Sequence, residues 1–228
     1  MKLVRKGHRR SHRGVIGVES AIVMIAFVIV AAALAFVVLN MGFSTTQRAK
    51  TAIVSSLDES SSALEIAGKV IAIGDVSPTG YLNVTAIPIK IASGGSSVNL
   101  GNTTMAVKYF TGTKEYDNIM TGVLASGSYT NLTQAMTAAA QAGYINVNPV
   151  TSNTAADATA AVVYFAVNRN NNSILDQGEH AIIAIVHKGT ERPQALDTIK
   201  AEIIVPTGSP LTIERLVPNI TNLVVDLG

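Results

Sequence analysis

From Ala21 to Leu39 the chain reads AIVMIAFVIVAAALAFVVL, 19 consecutive residues without one polar side chain. At 1.5 Å per residue, a helix of that length spans roughly 28 Å, close to the ~30 Å hydrocarbon thickness of a bilayer. A helix that is apolar around its whole circumference must be covered on every side, and one small domain cannot surround it. The cover comes from lipid or from other copies of the same segment. Ala26, Ala31, Ala32, Ala33 and Ala35 would let neighbouring backbones approach closely, although alanine is also the best helix former.

The flanks give the segment a direction. All six charged residues among the first 14 are basic, namely Lys2, Arg5, Lys6, Arg9, Arg10 and Arg13. The rest of the chain holds 11 basic and 15 acidic residues, a formal charge of −4, so the basicity belongs to the N-terminus alone. Six Lys/Arg ahead of a span hold that end in the cytoplasm and put the bulk of the chain outside. The apolar stretch is longer than the core of a secretory signal and has no Ala-x-Ala site at its far end. The natural cut is therefore before the apolar segment, at Arg13-Gly14-Val15, which leaves the helix on the mature chain. Cleavage there creates an amine at Val15, about one helical turn from Glu19. A carboxylate at the start of such a segment persists only when it is paired.

The stretch RGVIGVESAIVMIAFVIVAAALAFVVLN resembles the class III signal and N-terminal helix of the type IV pilin superfamily, and within it that of the archaeal flagellins, or archaellins. The resemblance is carried by a basic leader ending in Gly14, Gly17 and Glu19 as third and fifth residues of the mature chain, and the uninterrupted helix. It covers about residues 9–50; beyond them only the β-rich character is similar. It implies that a prepilin/preflagellin-type peptidase removes residues 1–14. It also implies that Glu19 neutralises the Val15 amine of its own or an adjacent subunit during assembly. The product would be a helical homopolymer outside the cell, built and turned by a membrane assembly and motor complex for swimming, with the precursor held in the cell membrane. An adhesive type IV-like pilin shares leader, helix and peptidase, and a permanently anchored surface domain would retain Met1. The apolar character continuing through Phe36 to Phe43 favours the swimming filament.

After Leu39 polar residues intersperse with Met41, Phe43 and Ala49, and Ile53, Val54, Leu57 and Leu64 recur near helical spacing. One helix over 15–67, roughly 80 Å long, is the economical reading, with a bend expected at Gly42. From residue 68 to 228 short β-type runs alternate with Gly, Pro, Asn and Ser. Strands are expected at 70–76, 81–92, 104–110, 144–148, 161–168, 180–187, 198–206, 211–217 and 222–227, with a short helix at 131–142 capped by Asn131. The fold class is thus α+β: a long hydrophobic N-terminal helix followed by an antiparallel, immunoglobulin-like β-sandwich.

Five Asn-x-Ser/Thr triplets occur in this outer part, at Asn83, Asn102, Asn131, Asn171 and Asn219, candidates for N-glycosylation in an exported chain. Between two strong strands, residues 168–179 (NRNNNSILDQGE) set oxygen-bearing side chains at Asn168, Asn170, Asn172, Asp176 and Glu179. That spacing would let a loop wrap Ca2+ or another divalent ion. Against it, Asn168 replaces the usual leading Asp and Ser173 the turn glycine, and a polar hairpin loop turning at Gly178 fits the same residues.

Other chemistries find no footing. There is no cysteine, which excludes disulfides and thiolate nucleophiles, and no nucleophile elbow, P-loop, GxGxxG or HExxH. His180 and His187 sit seven apart on one expected strand, pointing to opposite faces without evident partners. Asp58 and Glu59 read as solvated helix charges. With no Trp, 5% aromatic residues and no basic patch on the body, nucleic-acid binding is not expected. No enzyme function and no organic cofactor is expected.

Overall fold

The computed structural model describes residues 13–60, 64–76, 80–112, 114–151 and 155–228; most of the expected leader, residues 1–12, lies outside this set. The chain divides into two compact units, the first ending at Ser56 and the second running from Leu57 to Gly228.

Helix α1 spans Arg13–Ser60, and its residues up to Ser56 belong to the first unit. It runs through Gly42 without a break in its hydrogen bonding. It also ends short of residue 67. Leu64 and Ile66, which continue a helical spacing on paper, instead pair as β1 (Leu64–Ile66) with Ile91 and Ile89 of β3 (Tyr81–Ile91). Leu64 is buried in the sheet core, and burial there outweighs an extra helical turn exposed to water.

In the second unit the larger sheet also contains β2 (Ile71–Asp75), β7 (Met120–Leu124), β8 (Ala160–Val167), β10 (His180–Val186) and β13 (Val224–Asp226). Its order is β13-β2-β3-β10-β8-β7, and β1 pairs beside β2 along β3. A smaller sheet has the order β12-β11-β5-β6, built from β5 (Ala106–Phe110), β6 (Glu115–Tyr116), β11 (Thr198–Ile204) and β12 (Leu211–Leu216). The short strands β4 (Val98–Asn99) and β9 (Ile174–Leu175) pair with each other.

Strand alternation explains the layering. Ala161, Val163 and Phe165 of β8 and Ala181, Ile183 and Ile185 of β10 join one core with Val107, Tyr109, Ala201 and Ile203 of the smaller sheet. Their neighbours Val162, Tyr164, Ala184 and Val186 face a second core, closed by Ala135, Met136 and Ala139 of α2 (Leu132–Gln141). The sandwich expected from the sequence is present, with a helical third layer. One pairing is parallel rather than antiparallel, β7 with β8, because the connection between them carries α2 back across the sheet, as parallel neighbours require.

The segment 144–148, expected as a strand, forms turns. Tyr144 N–H donates to Ala139 O and Gly143 N–H to Ala140 O, ending α2. The Tyr144 ring then lies on Gly122 of β7, where an added Cβ would come within 2.4 Å of it.

Candidate functional site

Helix α1 meets the sequence expectation for its apolar run without a single buried side chain. From Gly17 to Leu57 it is long and apolar enough to cross a membrane, and none of its most apolar window is buried within the chain. Phe27, Phe36, Leu39 and Met41 each expose two-thirds or more of their surface. These residues lie at different angles around a 100°-per-residue helix, so the helix presents no wet face in this stretch. Farther along, Thr45, Thr46 and Thr51 fold their hydroxyls onto the carbonyls four residues back, Met41, Gly42 and Gln47, at 2.8, 2.8 and 3.0 Å. Such back-bonding satisfies the hydroxyl on its own helix, so the polar half of α1 can also be covered.

Gly14 and Val15 lie in the first turns of α1, with Gly17 and an exposed Glu19 following on the same helix. A Cβ added at Gly17 or Gly42 would meet nothing within 4 Å. Glycine costs about 1 kcal/mol relative to alanine in a helix, and among the described residues no neighbour requires it at either place.

The sequons separate by exposure. Asn102, Asn131, Asn171 and Asn219 are exposed. Asn131 is the N-cap of α2, its side-chain oxygen accepting from Gln134 N–H at 2.8 Å, a bond that linkage through Nδ2 leaves in place. Asn83 corrects the expectation: only 8% exposed, its Nδ2 donates to Pro149 O and its Oδ1 accepts from Arg192 at 2.9 Å. Thr85, the third residue of that triplet, is buried as well. A strand interior holds the triplet, where a glycan has no room.

The five oxygen-bearing residues of the 168–179 loop are linked in one hydrogen-bonded network. Asn168, Asn170 and Asn172 accept, through their side-chain oxygens, from the N–H groups of Asn171, Asn172 and Ile174 at 2.8, 3.2 and 2.8 Å. Glu179, 1% exposed, closes the loop by accepting from Arg169 N–H at 2.7 Å and Asp176 N–H at 3.0 Å. Asp176 accepts from Asn170 Nδ2 at 2.6 Å and from Ser97 Oγ at 2.5 Å. Gly178 has φ +83°, a conformation that favours glycine, and the Arg169 guanidinium lies 3.3 Å from where a Cβ would stand. Among the described residues no three His, Asp or Glu side chains gather to hold a metal. The acid contribution to this loop is two carboxylates, both engaged with the loop's own donors.

Two constellations were not readable from the sequence. His187, expected to lack partners, is 1% exposed and sits between the sheets. Its Nε2 is 2.9 Å from Thr85 Oγ1 and its Nδ1 3.3 Å from the Tyr109 hydroxyl. Burial holds it neutral, its pKa pulled down to about 3, and pushes the Tyr109 hydroxyl far up. Arg192 lies 4.7 Å over the Tyr81 ring, bonded to Asn83 and 3.6 Å from Asp75. Both pin strand ends together, and only the pairing of distant strands brings their members within reach.

A fully exposed apolar helix ahead of a self-contained β-sandwich defines a structural subunit that is completed by other molecules. The chain belongs to the archaeal-type flagellins, whose family model matches residues 14–215. It is 36% identical over 213 residues to a probable flagellin 1 of Aeropyrum pernix, covering 92% of this chain and 94% of that one. It is 35% identical over 167 residues to flagellin FlaB2 of Saccharolobus shibatae, covering 65% of this chain and 54% of that one. Among solved structures, the crystal structure of flagellin FlaB1 from Methanocaldococcus jannaschii matches 73% of this chain and 97% of that chain, with TM-score 0.57 at 16% identity. The archaeal flagellum of Methanospirillum hungatei matches 92% and 98%, with TM-score 0.52 at 20% identity. Membership of this family makes the chain a structural subunit.

Proposed function

We propose that this flagellin is inserted as a membrane precursor, cut between Gly14 and Val15, and polymerised into the extracellular filament that drives swimming. The carrying observation is that every large apolar side chain described on α1, from Val18 to Leu57, is exposed in the isolated chain. In the precursor lipid covers these side chains, and in the filament sister helices do. Passing from lipid to filament changes apolar cover for apolar cover, so the hydrophobic effect contributes little to that step. Clipping the basic leader frees the helix to leave the membrane, and Glu19 pairs with the new Val15 amine. Gly17 lets the neighbouring backbone approach at that point. The cutting enzyme is a prepilin-type peptidase, and a membrane assembly and motor complex extends and rotates the polymer.

The test is electron microscopy of extracellular filaments combined with sequencing of the mature N-terminus. Filaments whose subunits begin at Val15 support the proposal. Subunits beginning at Met1, or a chain that stays monomeric in the membrane, overturn it.

Two finer readings accompany it. Glycans belong at the exposed sequons Asn102, Asn131, Asn171 and Asn219 and not at Asn83, which peptide mass spectrometry of filaments can check. The 168–179 loop is a candidate for Ca2+ through the remaining lone pairs of Asn168, Asn170, Asn172, Asp176 and Glu179. A calcium-dependent rise in melting temperature, lost in Asp176→Ala, supports the ion, and no rise leaves a hydrogen-bonded turn.

A further inference from the structure

Leu196 combines two features that are each unfavourable in water. Its backbone is in the left-handed region at φ +72°, where a leucine is strained and glycine is not. Its side chain is 75% exposed, more than any other large apolar side chain among the described residues. The conformation is held from several sides. Leu196 N–H donates to Val217 O and Val217 N–H to Asp197 O, both at 2.8 Å. Asp197 then accepts from Gln194 N–H through its carboxylate at 2.8 Å. This bracket ties the turn before β11 to the end of β12, so the strain is built in rather than incidental. Beside it, Leu216 is 57% exposed and pairs across from Thr198. At the same end of the sandwich Leu223 is 58% exposed, its carbonyl accepting from Gly74, whose register partner Leu82 bonds Pro193.

We propose that Leu196 and Leu216 form an apolar knob that docks on the outer domain of a second copy of this chain, contributing a water-side contact to the polymer. The inference rests on the filament reading above. The occupant follows from size and delivery. Two leucines fall far short of the roughly 1,200–2,000 Å² that a stable complex of free partners buries, so a partner drawn from solution would not stay. A sister subunit is already delivered by α1, at an effective concentration in the millimolar range for short tethers, where a small contact suffices. Such a contact is also needed: α1 gains little hydrophobic free energy on leaving lipid, whereas a knob covered from water gains it fully. An open helix repeats its contacts from one subunit to the next, so in the filament the knob would meet a different surface of its neighbour, a heterologous contact rather than a closed dimer.

The absence of cysteine gives a clean test on the full-length chain. In Leu196→Cys filaments, maleimide labelling should be at least fivefold slower than in the same chain dispersed in detergent. Any modification of the chain is present in both states, so the difference reports assembly alone. A smaller difference overturns the knob while intact wild-type filaments leave the filament reading standing. If wild-type protein forms no filaments, both fall. Should Leu196→Cys fold but fail to assemble where wild type does, the knob is supported. As a second measurement, Leu196→Gly relieves the backbone strain and removes the side chain. Its filaments should dissociate at a lower temperature than wild type, while the detergent-dispersed chain melts no lower than wild type. Filaments that dissociate at the wild-type temperature overturn the proposal.

Discussion

Strand β8, Ala160–Val167, and the helical run Ala21–Leu39 are the two longest stretches of apolar sequence in the chain, and they end in opposite environments. The strand carries AAVVYFAV and buries its first six residues, one face on the smaller sheet and the other on α2. The helix buries none of its side chains. A strand shows two faces, and a sandwich with a helical layer has two covers to offer. A helix shows a full cylinder, and after building its own cores this chain has nothing left to wrap it. The β domain is therefore complete as one molecule, whereas α1 is complete only in lipid or among copies of itself.

Breaking that contrast on the helix side should give the largest effect. Ile29→Lys puts a charge in the middle of the apolar run, costing about 2.5–3.5 kcal/mol per subunit at a helix centre, and the cost recurs along a polymer. Sedimentation should find no filaments, while the melting of the β domain, followed by circular dichroism in detergent, stays at the wild-type temperature. Phe165→Ala is the reciprocal change. Phe165 is fully buried in the core between the sheets, so its loss should destabilise the domain by about 3–5 kcal/mol in denaturant titration.

Acid should act on the domain through His187. Its pKa is about 3 when folded against 6.5 for an ordinary histidine. Between those values the unfolded chain binds a proton that the folded chain refuses. Stability contributed by the neutral ring is thus complete above about pH 6.5 and falls as pH drops toward 3, by at most about 1.4 kcal/mol per pH unit from this group. His187→Gln should flatten that slope in melts run across the range, whatever it does to the baseline. The smallest effect belongs to Asn131→Ala, which removes the α2 cap and should cost about 1 kcal/mol. Asn131→Asp keeps the cap and removes the sequon, so comparing the two melts separates capping from any glycan.

The same contrast explains what could be read in advance. The helix was legible because its signal is local: an unbroken run, a charge step before it, and Gly17 and Glu19 at fixed spacing. Most central strands were legible for the same reason, as was the Asn131 cap. What escaped depends on distant partners. Leu64 fits a helix by spacing, yet it belongs to β3 by register. The edge strand β7 (MTGVL) has little pattern of its own, and its place follows from the parallel partner β8. Tyr144 and Ile145 resemble a strand start until Gly122 provides a bed for the tyrosine ring. In the candidate sites, the sequon at Asn83 is a correct triplet whose burial only the sheet reveals. The polar loop has a spacing that invites an ion, and its oxygens hold the loop's own amides.

An electron cryomicroscopy map of the filament in which side chains are resolved along α1 measures the central claim directly. The account predicts that residues from Val18 to Leu57 are enclosed by the same segment of neighbouring copies, with no lipid or detergent between them. A filament whose α1 segments stay wrapped in lipid, or whose subunits touch only through their β domains, would contradict it.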